Sequence, residues 1–202
     1  SWNTNVLKEA GLKNVKTVFQ GVNTRIFKPL PKTGKYADKF AIFSGGKLEF
    51  RKSQDIVLEA FRLFSKQHDD AILVTAWHNL WAHHGTNLEH SPHTKSLPKI
   101  DNDGKLLITE WAVDHGINSE KFIDLGISGN HIMPQHLRDI DIAIFPNRCE
   151  GGTNLVAMEA IACGVPCISS ENTGQIDLIK AEHCYRLPSN GIVNFPGSGT
   201  KG

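Results

Sequence analysis

The sequence predicts an α/β fold in which a parallel sheet is covered by helices on both faces. Short apolar runs at 40–45, 71–75 and 142–145 have the length and composition of buried strands. Segments with apolar residues at helical spacing, such as 153–163, lie between these runs. Because this alternation is typical of crossover helices, the strands should run parallel and a ligand should bind at their carboxyl ends.

Each predicted element has its own start and stop signals. The first strand closes on Gly45 and Gly46, and the next helix has Ser53 as a capping residue and Asp55 in its first turn. The later elements are expected as a helix over 105–115, a strand over 122–125, a helix over 134–140, a strand over 167–169 and a helix over about 175–181. The helix over 153–163 should place four side chains in the core: Leu155, Met158, Ile161 and Ala162.

The length of 202 residues, 40% of them hydrophobic, fits one domain with extensions. We expect this domain over 40–190, a linker and interdomain segment over 1–39, and a tail over 191–202. Residues 77–103 have no steady hydrophobic period and contain two prolines. This segment is therefore predicted to be a surface insertion.

Charge and cysteine content narrow the classes of partner. The chain has 22 Lys and Arg against 21 Asp and Glu, so no overall field attracts nucleic acid or an anionic membrane. The four cysteines include no Cys-x-x-Cys pair, which favours free thiols and a cytoplasmic protein. No apolar run approaches the roughly 18 to 20 residues that span a bilayer. Peripheral membrane association of a longer protein stays open.

The first group of chemistry-bearing residues follows the first predicted strand. Gly45 and Gly46 permit a sharp turn and a close approach of the backbone to a ligand, and Lys47 and Lys52 flank the start of a helix. Ammonium groups and free helix-end N–H groups together suit a diphosphate. A surface turn with solvated lysines is the alternative interpretation.

The second group lies between the strand at 142–145 and the following helix. Gly151, Gly152 and the N–H groups at the helix start can hold an anion. Glu159 leans back toward this helix start and can accept hydrogen bonds from the vicinal hydroxyls of a ribose. A helix-stabilising surface charge is the alternative, but a carboxylate among apolar neighbours needs a polar partner if it is buried.

The chain has ten histidines, five of them within the segment predicted as an insertion: His78, His83, His84, His90 and His93. Their spacing matches neither a helical His-x-x-x-His pair nor a Cys/His knuckle, so we predict no bound metal. Trp77 and Trp81 in the same segment are expected to pack it onto the sheet.

The string Glu-Gly-Gly-Thr-Asn-Leu-Val-Ala-Met-Glu-Ala-Ile-Ala-Cys-Gly-Val-Pro over 150–166 resembles a family signature, Glu-Gly...Glu-Ala-x-Ala-x-Gly-x-Pro. The family is the group 1 retaining glycosyltransferases, which include sucrose synthases and many bacterial polysaccharide enzymes. Residues 46–52 are similar to that family's Gly-Arg-Leu-x-x-x-Lys-Gly turn, and 21–27 to the Asn-Gly-Val-Asp-x-x-x-Phe segment linking its two halves. The resemblance covers about 18–190.

The resemblance implies the C-terminal, donor-binding half of a two-domain GT-B enzyme with a Rossmann-like sheet. A nucleotide-diphosphate sugar would be the donor substrate, with no further cofactor, and a missing N-terminal domain would hold the acceptor. Lys47 and Lys52 would bind the diphosphate and Glu159 the ribose, while Glu150, facing the donor sugar, and Lys52 would be catalytic. The other implied donor-binding residues are Gly45, Gly46, Gly151, Gly152, Thr153, Asn154 and Leu155.

The sequence departs from the family pattern in three ways. Eight residues separate Glu150 from Glu159 where the family usually has seven, so strict counting gives the first glutamate's position to Gly151. Lys47 stands where Arg is commoner, and Ser53 where Gly is usual. The chain also stops before the family's closing helices, so we expect a truncated piece that is inactive alone.

Two other functions are alternatives to a transferase. A nicotinamide dehydrogenase is disfavoured because no Gly-x-Gly-x-x-Gly follows the first strand. A non-catalytic module that binds a nucleotide sugar remains the alternative, and activity after addition of the missing domain would distinguish the two.

Overall fold

The computed structural model describes residues 1–179, 182–189 and 191, which contain a parallel six-stranded sheet. The strands are β1 (Phe40–Gly45), β2 (Ala71–Ala76), β3 (Phe122–Asp124), β4 (Ile142–Phe145), β5 (Cys167–Ser170) and β6 (Cys184–Leu187). Their order is β3-β2-β1-β4-β5-β6, and each adjacent pair is parallel. The predicted Rossmann-like sheet is confirmed, with β6 as a strand that the sequence analysis missed.

Helices and shorter 3₁₀ segments connect the strands. The α-helices are α1 (Trp2–Glu9), α2 (Gln54–Phe64), α3 (Ile108–Asp114), α4 (Met133–Leu137) and α5 (Leu155–Ala162). The 3₁₀ segments are Phe50–Lys52, Ala82–His90, Ser119–Lys121 and Thr173–Asp177. The last of these replaces the α-helix expected over about 175–181, whose residues 180 and 181 lie outside the described residues.

Both faces of the sheet carry helices, because successive side chains of a strand point to opposite sides. In β2, Ala71 and Leu73 pack into a core with α2 and α3. Ile72 and Val74 pack into a second core with α4 and α5. The predicted coverage of both faces is confirmed.

The strand order reverses between β1 and β4, which are neighbours in the sheet although β2 and β3 separate them in the chain. The connections that follow β1 and β4 therefore leave in opposite directions and open a crevice at the carboxyl ends. Both predicted groups of chemistry-bearing residues begin at this crevice.

The segment 77–103, expected as a surface insertion, contributes to the core. Trp77 and Leu88 are fully buried against the side of the sheet that carries α2 and α3, whereas Trp81 is 57% exposed. Only the first of the two tryptophans therefore packs as predicted. The burial of Leu88 was not predicted, because apolar residues in a 3₁₀ or irregular segment follow no strand or helix period.

The inward face of α5 also differs from the prediction. The four side chains expected inside are only half-buried, namely Leu155, Met158, Ile161 and Ala162. Ala157, Glu159 and Ala160 are buried instead. Because this helix is apolar nearly all round, its sequence contains no polar stripe to mark the outer face.

The segment before the sheet is attached at several points. The backbone N–H of Trp2 in α1 donates to Asp177 Oδ2 at 3.1 Å. Phe27 is buried in the core beside α4 and α5. The backbone N–H of Thr33 donates to Asp139 at 2.7 Å. At the other end of the chain, the predicted tail 191–202 lies outside the described residues apart from residue 191.

Candidate functional site

The turn after β1 requires both of its glycines. A Cβ on Gly45 would lie 2.7 Å from the ring of Phe43, and Gly46 has a φ of 116°, which L residues rarely adopt. The turn is held by Gln54, which is 1% exposed and whose Nε2 donates to the carbonyl of Lys47 at 2.7 Å. The sequence analysis missed Gln54, since its role depends on a contact with the preceding turn.

Lys52 lies beside this turn. An added Cβ on Gly46 would be 3.9 Å from Lys52 Nζ, and the lysine side chain is 12% exposed. Ser53 follows with a φ of 64° at the start of α2, and its hydroxyl accepts from the N–H of Arg148 rather than capping the helix as predicted. Lys47 is exposed at the rim. Both predicted diphosphate-binding lysines thus adjoin one glycine turn, Lys47 in sequence and Lys52 in space.

Glu150 is a buried carboxylate whose two oxygens are both occupied by protein donors. Lys52 Nζ and Asn147 Nδ2 donate to Oε1, the latter at 2.5 Å, and Arg51 Nη1 donates to Oε2 at 2.9 Å. The residue is 4% exposed. Glu150 therefore fixes the Lys52 ammonium group beside the Gly46 turn, while its predicted contact with a donor sugar stays a prediction.

A second buried ion pair, which the sequence analysis did not predict, joins the turns after β1 and β4. Arg148 donates through Nη1 and Nη2 to the two oxygens of Asp55, at 2.8 and 2.6 Å. Asp55 is fully buried. The guanidinium also lies 4.1 Å from the ring centroid of Phe50. This pair attaches the loop that contains Glu150 to the start of α2.

The turn that follows Glu150 is supported by the segment after β5. The N–H of Glu150 donates to Thr173 Oγ1 at 2.8 Å. A Cβ on Gly174 would lie 1.9 Å from the carbonyl oxygen of Gly152, so only glycine permits this approach. Neither supporting residue was predicted.

Asn154 caps α5. Its Oδ1 accepts from the N–H of Ala157 at 3.2 Å, and its Nδ2 donates to the buried Gln175 at 3.3 Å. Leu155 is the first residue of the helix and is half-buried. The helix start is therefore capped by Asn154, and the anion that it was predicted to bind stays a prediction.

The preceding residues of the predicted donor-binding set lie at the surface near α1. Gly151 is exposed, and its carbonyl accepts from Asn3 Nδ2 at 2.6 Å. Gly152 and Thr153 line a pocket of about 300 Å³ together with Asn3 and Asp177. The structure thus separates these residues from the pocket that contains Lys47.

That other pocket has a volume of about 220 Å³ and contains Glu159. Gly46, Lys47 and His78 line it with the glutamate. Glu159 is 6% exposed, and its carboxylate has no hydrogen-bond partner among the described residues. Burial raises the pKa of Glu159. The pocket is therefore lined by a buried hydrogen-bond acceptor, the Glu159 carboxylate, and by a cationic residue, Lys47.

His78, one of the five histidines in the segment 77–103, lines this pocket. Its Nε2 lies 2.7 Å from Asp124 Oδ2, at the ends of β2 and β3. The described part of the chain contains no group of three or more His, Cys, Asp or Glu side chains placed to hold a metal ion. In the same residues, no helix has the length and apolar character needed to cross a membrane.

A switch point with two glycine-rich turns, two lysines and a pocket carboxylate defines a Rossmann-like ligand-binding domain. The family model of the glycosyl transferases group 1 matches residues 27–198. The chain belongs to this glycosyltransferase family, as its two sequence motifs predict. No curated protein matches the sequence.

Solved structures share this fold. The C-terminal domain of the group 1 glycosyl transferase LpcC from Francisella tularensis has a TM-score of 0.58 and 20% identity, over 83% of this chain and 80% of that chain. HepE from Anabaena in complex with UDP has a TM-score of 0.67 and 15% identity, over 92% of this chain and 47% of that chain. Sucrose-phosphate synthase from Thermosynechococcus elongatus has a TM-score of 0.61 and 19% identity, over 83% of this chain and 38% of that chain. The chain spans less than half of the last two proteins.

Proposed function

We propose that this chain is the donor-binding domain of a retaining sugar transferase and that its pocket holds a nucleoside diphosphate. The observation that supports this most is a pocket lined by both Lys47 and Glu159. The Glu159 carboxylate lacks a hydrogen-bond donor among the described residues, and ribose hydroxyls would supply one. The lysine at the same pocket suits a phosphate group.

The diphosphate would lie between the Gly45–Gly46 turn and the start of α5. Lys47 and Lys52 would each donate to phosphate oxygens. An ammonium group has three N–H donors, so Lys52 can keep its bond to Glu150 and still reach a phosphate. The amides of Asn154 and Leu155 at the start of α5 would complete the set, and the cap at Asn154 keeps this helix start in place.

Sugar transfer breaks the bond between the anomeric carbon and a phosphate oxygen, and the departing diphosphate gains negative charge. Lys52 and the amides at the start of α5 would stabilise that charge electrostatically, without a bound metal. Glu150 would keep Lys52 in place and face the sugar, so this pair is our proposal for the catalytic residues. The retained configuration at the anomeric carbon is inferred from the family resemblance.

The HepE structures contain UDP in one case and UDP-glucose in another, so we choose UDP-hexoses as the first donors to test. We also propose that a separate N-terminal domain forms the acceptor side of the cleft, since the chain spans 47% of HepE. Holding donor and acceptor in attack geometry supplies roughly 7 to 11 kcal/mol of a barrier. This chain by itself should therefore bind a donor without transferring its sugar.

Titration calorimetry with UDP tests the binding site. We expect the same affinity in EDTA and in magnesium, because lysines and amides provide the positive charge. Binding that requires magnesium would contradict a metal-free site. Absence of UDP binding in both buffers would contradict the proposed nucleoside diphosphate site itself.

A transfer assay tests the enzyme. UDP-glucose and candidate acceptors should give product only with a longer chain that carries an N-terminal acceptor domain. Transfer by the 202-residue chain alone would contradict the proposal that a separate N-terminal domain holds the acceptor. Donor binding without transfer in the longer chain would favour a non-catalytic module.

A further inference from the structure

His78 lines the pocket that contains Glu159 and pairs with Asp124, and neither residue has a part in the roles given above. His78 follows β2, Asp124 ends β3, and the pocket is lined by His78 together with Gly126, Ile127 and Glu159. The His78 and Asp124 side chains are 10% and 16% exposed. The pair is therefore largely buried in a wall of the pocket.

Asp124 orients the imidazole. A carboxylate only accepts hydrogen bonds, so the Nε2 atom that faces Asp124 Oδ2 at 2.7 Å must carry a proton. The other carboxylate oxygen, Oδ1, accepts from the N–H of Gly126 at 3.0 Å, which fixes the neighbouring wall of the same pocket. The Asp124 side chain thus fixes both the orientation of the His78 ring and the position of the loop at Gly126.

This arrangement leaves Nδ1 of His78 as a hydrogen-bond acceptor when the ring is neutral. Among the residues that the structure describes, Nδ1 has no hydrogen-bond partner. Glu159 and Lys47, on the same pocket, are the groups to which we assign the ribose and a phosphate. The nucleobase is the remaining part of a nucleoside diphosphate and carries N–H groups on its edge.

We propose that His78 is a specificity-determining residue whose Nδ1 accepts an N–H of the donor's nucleobase, and that Asp124 is the residue that positions it. The proposal rests on the proposed function, with uracil as the base. The group that His78 would recognise is then the N3–H of uracil. If the hydrogen bond between His78 and Asp124 served only to join β2 to β3, the chain would not distinguish UDP from a nucleotide that lacks this N–H.

The experiment compares UDP with N3-methyl-UDP, which lacks this N–H, by calorimetry. We expect methylation to weaken binding to the unaltered chain about tenfold, the scale of a hydrogen bond whose acceptor is left unpaired. His78→Phe keeps an aromatic ring but removes the acceptor, so it should weaken UDP binding and bring the ratio of the two affinities close to one. Asp124→Asn should lower the ratio less.

Controls separate recognition from damage. His93→Ala, which changes an exposed histidine outside the pocket, should leave the ratio unchanged. Inorganic pyrophosphate should bind the unaltered chain and His78→Phe equally. If circular dichroism shows that His78→Phe does not fold, the ratio of UDP to N3-methyl-UDP affinity in Asp124→Asn tests the proposal instead.

A ratio near one in the unaltered chain, or an unaltered ratio in a folded His78→Phe, would overturn the proposal. Either result is compatible with the proposed function if pyrophosphate binds and Lys52→Ala weakens that binding. Absence of both UDP and pyrophosphate binding to the unaltered chain would instead overturn the two proposals together.

Discussion

Two buried glutamates near the carboxyl edge of the sheet have opposite surroundings. Glu150 receives donors from Lys52, Arg51 and Asn147, and both of its oxygens are occupied. Glu159 is buried to nearly the same extent but has no hydrogen-bond partner among the described residues. The two positions are nine residues apart in one motif, so sequence proximity does not determine what each carboxylate does.

The difference separates a carboxylate that stabilises the protein from one that is available to a ligand. A buried ion pair is strongly destabilising to break, because its partners are left uncompensated. A buried carboxylate without donors costs folding free energy, and a ligand that donates to it removes part of that cost. We therefore expect substitutions at Glu150 to change stability more than nucleotide affinity, and substitutions at Glu159 to change nucleotide affinity more than stability.

The largest expected effect is on the stability of Glu150→Ala. Removing this carboxylate leaves Lys52 without its counter-ion, and we expect a loss of about 3 kcal/mol in the free energy of unfolding. Urea unfolding followed by circular dichroism measures it. Glu171→Ala is the matched control, because its ion pair with Arg186 is exposed and should contribute less than about 1 kcal/mol. Equal unfolding midpoints for the two variants would show that Glu150 is no more important than a surface charge.

The second-largest expected effect is the loss of UDP affinity when Lys52, the partner of Glu150, is removed. Lys52→Ala should weaken UDP binding by about 2 kcal/mol, the scale of a charge-assisted hydrogen bond, and leave uridine binding nearly unchanged. Lys47→Ala should act in the same direction. The exposed Lys66→Ala serves as the control, and equal loss of uridine and UDP affinity in Lys52→Ala would contradict a phosphate contact.

The smallest expected effect is the pH dependence that Glu159 adds to stability. Burial raises the pKa of Glu159 above its ordinary value of 4.5, so the folded chain holds this proton more tightly than the unfolded chain. This contribution is fully present below pH 4.5 and is lost as the pH rises through the raised pKa of the folded chain.

Glu159→Gln should lack this loss. Relative to the unaltered chain, the variant should gain about 1 kcal/mol of stability between pH 4 and pH 8, the scale of a desolvated polar group. Urea unfolding at both pH values gives the difference, in which titrations common to the two proteins cancel. A constant difference between pH 4 and pH 8 would mean that the carboxylate finds a partner in the folded chain.

Local sequence was sufficient to predict where the two glycine-rich segments of the candidate site lie in the fold. Gly45, Gly46 and Lys52 belong to one continuous segment, and the start of α5 with Glu159 belongs to another. The alternation of strands and helices then predicted that both segments meet at one edge of the sheet. The observed strand order has this arrangement.

Contacts between distant residues could not be predicted in this way. Asp55 and Arg148 are 93 residues apart, and the sequence of either segment contains no sign of the other. The need for glycine at Gly174 arises from the carbonyl of Gly152, which only the folded chain brings close. The burial of Leu88 likewise depends on a 3₁₀ segment whose hydrophobic residues have no strand or helix period.

The most direct test of the contrast between the two glutamates compares UDP with 2′,3′-dideoxy-UDP, which lacks both ribose hydroxyls. In the unaltered chain we expect removal of the hydroxyls to weaken binding about tenfold, or 1.4 kcal/mol. In Glu159→Gln the same removal should cost much less, whereas Glu150→Gln, if folded, should keep the full penalty. An undiminished penalty in Glu159→Gln would contradict the assignment of the unpartnered carboxylate to the ribose.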